Sequence, residues 1–374
     1  MFNERMAGTE PTRYTFNDLT VWRTALPGIQ NAVLPPSSDR PNPRLGDGKL
    51  FVSVFAPGCI YALEAATGEI CWRRELPYLA SACVELAAGL LLAKTSQTLY
   101  AVEPASGSIR WEFCPYGAEG ESLYSEPVVD GRRLFIGDRA GCLHCLDLNS
   151  GETIWKRETS EALNRQVNAT AAVTGELVIT ATNAALALAY GAEDGSLVWK
   201  ADLDGPCTQH LFVVKDQVVV VTESLYFLAP GTGELQGLLR WPGFGAAFAT
   251  GAASQVALIR RPSGDESGKY EKPDQCYRES ETLLLFEGTQ LVREIVCSAY
   301  ASAMRFSSST GLLYTSGLSG LDILNADTGQ WSHTLRPEKQ TSGYGLPEVV
   351  ENRLYTVDGD GIVYALEHPH LDAK

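Results

Sequence analysis

Short apolar runs alternate with polar residues along almost the whole chain, and no long amphipathic helix interrupts them. The stretch Tyr61-Ala62-Leu63-Glu64 is followed by Thr67-Gly68 and then by a second run that holds Trp72. Such a unit reads as strand, tight turn, strand, because glycine accepts positive φ without a Cβ clash. The unit recurs as Tyr100 to Trp111, His144 to Trp155 and a copy ending in Gly195 to Trp199. In these copies the tryptophan lies four residues after the glycine, as in Gly107/Trp111 and Gly151/Trp155. That even spacing keeps it on one face of the strand, where it can pack against the neighbouring unit.

Later copies decay. Tyr226 to Gly233 keeps the first half, with its tryptophan displaced to Trp241. Leu283 to Gly288 is the weakest and has no tryptophan, and Asp322 to Gly329 is followed by Trp331 only two residues on. A last copy, Ile362 to Glu367, stops before its glycine. The turn glycines at 68, 107, 151, 195, 233, 288 and 329 lie 38 to 55 residues apart. A period of roughly 40 residues with four strands per period predicts a propeller. The expected fold class is therefore all-β: a single propeller over residues 1–374, with about eight four-stranded blades. Seven blades is the alternative if the copy at Gly288 is not one. Phe16 to Leu26, with Trp22, resembles Gly195 to Leu203. A strand over about 14–26 is thus expected to complete the last blade and close the ring, leaving no open edge.

The Tyr-Ala-Leu-Glu … Thr-Gly … Trp pattern resembles the pyrroloquinoline-quinone-like repeat propellers, over nearly the whole chain from Phe16 to Glu367. The resemblance implies the fold; function does not follow from fold alone. The family includes quinoprotein dehydrogenases, a lipoprotein of outer-membrane assembly, and scaffold or sensor modules. For a dehydrogenase it implies a vicinal Cys-Cys disulfide and a Glu/Asn/Asp calcium site. This chain has no adjacent cysteines, so no catalytic residue carries over, and neither an enzyme nor a cofactor is expected.

Composition narrows the partners. A net charge of -15 and only isolated basic pairs argue against nucleic acid. No run of 18 apolar residues predicts a membrane-spanning helix, so no membrane insertion is expected. The first residues show no apolar leader, and the nine cysteines are odd in number and scattered, so a reducing, cytoplasmic setting is expected. Cys142-Leu143-His144-Cys145 contains a C-x-x-C, but on a strand its cysteines point to opposite faces, and His144 and Cys145 replace Tyr and Ala of other copies. No metal is expected there, and His368-Pro369-His370 reads as a frayed tail.

With strands lettered A to D from the axis outward, the Gly turns are C–D turns. The long stretches 27–48, 115–123, 159–166 and 336–346 are D–A loops, and 262–280 is an insertion between B and C of blade six. These would gather on one face, and loops on a rigid scaffold carry function. Residues near the start of the A strands would line the channel mouth: Tyr124, Glu126, Arg165, Gln166, Asn168, His210, Arg305 and Tyr344. The expected function is a non-catalytic scaffold that binds another protein through this face. The alternatives are a small-molecule sensor, or an enzyme with its site at the channel mouth.

Overall fold

The computed structural model describes residues 11–29, 43–54, 58–77, 79–117, 122–123, 125–162, 164–207, 209–240, 244–252, 255–262, 282–296, 301–307, 310–317, 319–338 and 343–369. The described residues form eight sheets arranged as blades, each with four antiparallel strands. Before the first complete blade come β1 (Thr12–Thr15), α1 (Phe16–Leu19) and β2 (Thr20–Ala25). Blade 1 follows as β3 (Arg44–Gly46), β4 (Lys49–Val54), β5 (Cys59–Glu64) and β6 (Ile70–Glu75). Blade 2 is β7 (Leu79–Ala87), β8 (Leu90–Thr95), β9 (Leu99–Val102) and β10 (Ile109–Phe113). Blade 3 is β11 (Val128–Asp130), β12 (Arg133–Gly137), β13 (Cys142–Asp147) and β14 (Thr153–Glu158). Blade 4 is β15 (Ala172–Thr174), β16 (Leu177–Ala181), β17 (Leu186–Gly191) and β18 (Leu197–Asp202). Blade 5 is β19 (Phe212–Val214), β20 (Gln217–Val221), β21 (Leu225–Leu228) and β22 (Leu235–Leu239). Blade 6 is β23 (Phe244–Ala252), β24 (Gln255–Pro262), β25 (Thr282–Glu287) and β26 (Gln290–Val296). Blade 7 is β27 (Ala301–Phe306), β28 (Leu312–Gly317), β29 (Gly320–Asn325) and β30 (Gln330–Arg336). Blade 8 supplies three strands, β31 (Glu348–Val350), β32 (Arg353–Val357) and β33 (Ile362–Glu367).

Its fourth strand is β2, antiparallel to β33 with Trp22 opposite Ala365. The N-terminal strand thus closes the ring, and the weak copy at Gly288 is a true blade. The strand itself is shorter than expected. Residues 16–19 form a helical turn, capped by Thr15 and Asp18 in a reciprocal box. Residues 12–15 form β1, which pairs parallel with β30 as a fifth strand of blade 7. The expected insertion begins where β24 ends at Pro262; its remainder lies outside the described residues.

The described core divides into eight apolar clusters, one at each seam between blades. Five seams share one device. Trp22, Trp72, Trp111, Trp155 and Trp199 each donate their indole N–H to a carbonyl in the C–D turn of the next blade: Ala65, Pro104, Leu148, Ala192 and Pro230, at 2.7–3.2 Å. Each ring lies over that turn's glycine. A Cβ on Gly68, Gly107, Gly151, Gly195 or Gly233 would come within 2.5–2.7 Å of the indole. The glycine of the repeat is therefore needed twice, for positive φ and for this close approach.

The register of the C and D strands repeats from blade to blade, so equivalent slots can be read off. Trp155 faces Cys145, Trp199 faces Ala189, and in blades 5, 6 and 7 the slot residues are Gly237, Arg293 and His333. Trp331 is a correction: it pairs with Leu324, outside the slot, and packs on the seam between blades 6 and 7. A bulge just before the slot in every D strand shifts the count from the turn. Trp241 lies outside the described residues. Gly329 is overlain by Arg293, whose Nη2 donates to Asp327 O at 2.6 Å in place of an indole.

Candidate interaction face

Antiparallel A-B-C-D strands place the A–B and C–D turns on one face of the ring, and the D–A and B–C connections on the other. The A–B turns are tight, as at Gly131 and Gly175, whose backbones are left-handed. The D–A connections after blades 2, 3, 4, 7 and 8 are the long ones, the last running from the end of β2 to the start of β3.

What holds these loops is a column in strand C, the residue just before the one that faces the tryptophan slot. It is Tyr61, His144, Tyr226 and Tyr364 in blades 1, 3, 5 and 8. Tyr61 donates to Pro27 O at 2.7 Å, tying the first loop down. Tyr226 accepts the Asp204 backbone N–H at 2.7 Å. The Asp204 carboxylate accepts from Thr222 and Ser224 at 2.7 and 2.6 Å. Burial pushes its pKa up, but those hydroxyls with Arg240 and Tyr226 outweigh burial and hold it below the usual carboxylate range.

In blade 3 the column residue is His144, whose Nε2 lies 2.7 Å from Asp138 Oδ2. Tyr116, from the loop after blade 2, donates to the same oxygen at 2.7 Å, and the Cys142 N–H donates to Oδ1 at 2.8 Å. Lys156 Nζ reaches the Tyr116 hydroxyl at 3.2 Å and lies 4.8 Å from its ring centre. Burial pushes the Asp138 carboxyl up, yet His144, the Cys142 N–H and Tyr116 together bring it below its ordinary value. Burial first, then the carboxylate it bonds, drive the Tyr116 phenol strongly upward. The imidazole and carboxylate resemble a catalytic pair. Their side chains are 2% and 0% exposed, however, and the column shows them in the position that elsewhere carries a loop-anchoring tyrosine. In blade 8 the matching pair is Tyr364 and Asp358, at 3.0 Å. There burial dominates over the donated bonds, and the carboxyl is raised.

A second set lies on the innermost strands. Arg44, Glu85, Val128, Ala172, Phe212, Thr250, Arg305 and Glu348 occupy the same register position in blades 1 to 8. The charged half is continuous: Arg305–Glu348 3.3 Å, Glu348–Arg44 3.8 Å and Arg44–Glu85 3.0 Å. This ladder bridges blades 7, 8, 1 and 2 around the axis, across the point of closure. The other four blades carry the uncharged residues.

Of the residues expected at the mouth, Arg305 joins this ladder. Tyr124 lies outside the described residues. Glu126 is half-buried, and its backbone N–H meets Thr170 at 3.1 Å. Arg165 packs over Gly141 and donates to Ala140 O at 2.6 Å, so it staples its own loop to the blade 3 B–C turn. Gln166 accepts from Asn183 at 3.2 Å. Asn168 is half-buried with its Oδ1 sealed from solvent, and His210 is exposed. Tyr344 is a correction. It is 0% exposed, packed edge-on to Phe16 at 4.9 Å, because the α1 turn covers it. His368 is another: it is buried, with its Nε2 2.6 Å from the Tyr314 hydroxyl, rather than frayed. Arg44, Glu85 and Glu348 were missed by sequence reasoning. Each lies three residues before a left-handed A–B turn residue, Asp47, Ala88 or Glu351, and that recurrence was the available signal.

Among the described residues no three His, Cys, Asp or Glu side chains are grouped to hold a metal ion. Six described cysteines are unpaired; burial pushes Cys145 and Cys207 up to about 12 and about 11. No described helix is long and apolar enough to cross a membrane.

Comparison with known proteins gives a consistent picture. A sequence profile described as outer membrane protein assembly factor BamB matches residues 16–162 and 159–265. Proteins of that name from Moranella endobia (strain PCIT) and Yersinia pestis are 30% and 26% identical over 131 and 122 residues. These stretches cover 33% and 31% of this chain, and 33% and 30% of the relatives, so the alignments span about a third of each. Among solved structures, BamB from Moraxella catarrhalis superposes with a TM-score of 0.54 at 16% identity, over 88% of this chain and 82% of that one. Saccharomyces cerevisiae Sqt1 gives 0.70 at 12% identity, over 94% and 99%. These two likenesses show the fold alone. The repeat, the eight blades and the profile match over most of the chain agree: this protein belongs to the pyrroloquinoline-quinone-like repeat propeller family described by the BamB profile.

Proposed function

We propose that this protein is a non-catalytic assembly scaffold that binds another protein through the face carrying the D–A and B–C connections. The observation that carries the reading is the anchoring column. Three acidic groups at this face, Asp138, Asp204 and Asp358, are engaged in holding its loops and turns. A face whose loops are pinned to a rigid ring presents a preformed surface, which lowers the ordering cost of association. The relatives' name, an assembly factor, supports the same reading. The reducing compartment expected from the cysteines is kept as a proposal, and fractionation of the source cell checks it.

The test is native affinity purification with the intact chain, and with a variant carrying Glu161→Lys, Asn164→Lys and His210→Glu. All three residues are exposed on this face. A stoichiometric protein retained by the intact chain and lost by the equally stable variant is the expected result. Retention by the variant overturns the choice of face. A chain that recovers no protein, yet gains thermal stability with a small molecule, favours the sensor reading.

A further inference from the structure

Among the described residues, only blade 8 has C and D strands that no turn joins, because β33 and β2 come from distant parts of the sequence. At the five tryptophan seams the indole of one blade rests on the C–D turn of the next. At the seam from blade 7 to blade 8 that turn does not exist, and the N-terminal segment takes its place. His333 stands in the tryptophan slot, and Tyr14 stacks on it with ring centres 5.8 Å apart at 29°. From there β1 runs parallel along β30, pairing Thr12 with His333 through Thr15 with Arg336.

The two halves of this plug are held differently. In α1, Phe16 is 1% exposed and packs edge-on against Tyr344 and Tyr364. In β1, Thr12, Arg13 and Thr15 are exposed, and only Tyr14 reaches the apolar cluster of the seam. Four residues of parallel edge pairing with one packed side chain is a marginal strand. It persists because its tether to α1 keeps its local concentration high.

We propose that the outer edge of blade 7 is a strand-acceptor site for an extended segment of another protein, and that β1 is its tethered, exchangeable occupant. Strand addition draws affinity from main-chain bonds and specificity from alternate side chains. The segment that fits runs parallel to β30 over at least four residues, with an aromatic third residue to stack on His333. Its flanking positions are β-branched or polar, as Thr12 and Thr15 are. A second copy of this chain is disfavoured as occupant by mutual repulsion at net charge -15. This surface is at the rim, and the proposal stands independently of the loop-face reading.

The test uses the full chain and a chain lacking residues 1–14, which keeps the Thr15 cap, α1 and β2. The probe is a fluorescein-labelled peptide of residues Pro11 to Tyr14, which the shortened chain lacks, followed by anisotropy. The expected result is saturable binding to the shortened chain, at least tenfold tighter than to the full chain, and lost with a Tyr14→Ala peptide. Equal binding by both chains, or no binding by a shortened chain that melts like the full one, overturns the proposal. Should the shortened chain not fold, hydrogen exchange on the intact protein decides. Amides of β30 that open before those of β29 support exchange of β1. Opening of both strands only with global unfolding overturns it.

Discussion

At the scale of single residues, the repeat glycine can be separated into its two roles. Gly151 has φ +73° and a would-be Cβ 2.7 Å from Trp111, whereas Gly131 has φ +58° with nothing within 4 Å. Gly131→Ala removes only the conformational freedom and is expected to cost about 1 kcal/mol. Gly151→Ala adds a collision with an indole that cannot give way, and is expected to cost roughly 2–4 kcal/mol. Paired urea titrations check the difference, and equal losses would show that Trp111 moves freely. The two buried aspartates give a second contrast. The folded value of Asp138 lies below that of the unfolded chain. Its ionised form therefore adds stability above the ordinary carboxylate range, and that contribution is lost as pH falls through the lowered value. Asp358 is raised, so its contribution is present below the ordinary carboxylate value and is lost as pH rises through the raised one. Asp138→Asn should lower stability at pH 7 by about 1–3 kcal/mol, with the difference shrinking in acid. Asp358→Asn should leave stability at pH 7 unchanged or higher. Thermal melts of both variants between pH 3 and 7 measure the two signs.

At the scale of elements, the tryptophan seams separate what local pattern encodes from what it does not. Trp155 is 6% exposed, spans two blades and bonds Ala192 O. Trp155→Ala is expected to cost about 3–5 kcal/mol. Trp331→Ala, outside the slot, should cost less than half of that, and chemical denaturation of both variants tests the ranking. The strands and turns were legible because a period-two pattern and an Asx-Gly turn are set by neighbours in sequence. The seam device was legible through blade 4 because the spacing from Gly68 to Trp72 repeats through Trp199. It failed for Trp331 because that residue lies two positions after Gly329, not four, and the bulge between it and His333 puts the two residues opposite adjacent positions of β29; His333, four after the glycine, holds the slot. Arg293 and His333, which do stand in the slots, share no residue type with the tryptophans and so left no mark. β1 was read as part of one long strand, because nothing local announces parallel pairing with a strand more than 300 residues away. The mouth residues fared similarly. Arg305 could be guessed from its polarity, but the burial of Tyr344 depends on α1, an element the pattern did not predict.

At the scale of the whole ring, the devices are distributed unevenly, and the asymmetry predicts how the molecule opens. Indole seams join blades 8, 1, 2, 3, 4 and 5 in turn, and the ionic ladder reinforces blades 7, 8, 1 and 2. The seam from blade 5 to 6 has Gly237 against Thr289, and the next has Arg293 over Gly329. Neither places a large aromatic ring on a turn. In repeat arrays stability approximates a sum over units and nearest-neighbour interfaces, so opening begins where the interfaces are weakest. Native-state hydrogen exchange in rising urea should therefore release the amides of β25, β26 and β29 before those of β5, β9, β13 and β17. Glu348→Gln breaks two rungs of the ladder at once, because Glu348 meets both Arg305 and Arg44. Being only partly buried, these pairs are worth about 1 kcal/mol together. The substitution should bring forward opening of blades 7 and 8 without changing that of blades 3 and 4. Uniform release of all blades at one urea concentration would mean that ring closure couples the seams more tightly than their individual contacts do. In that case β2, the strand that makes the closure, would be the dominant source of cooperativity.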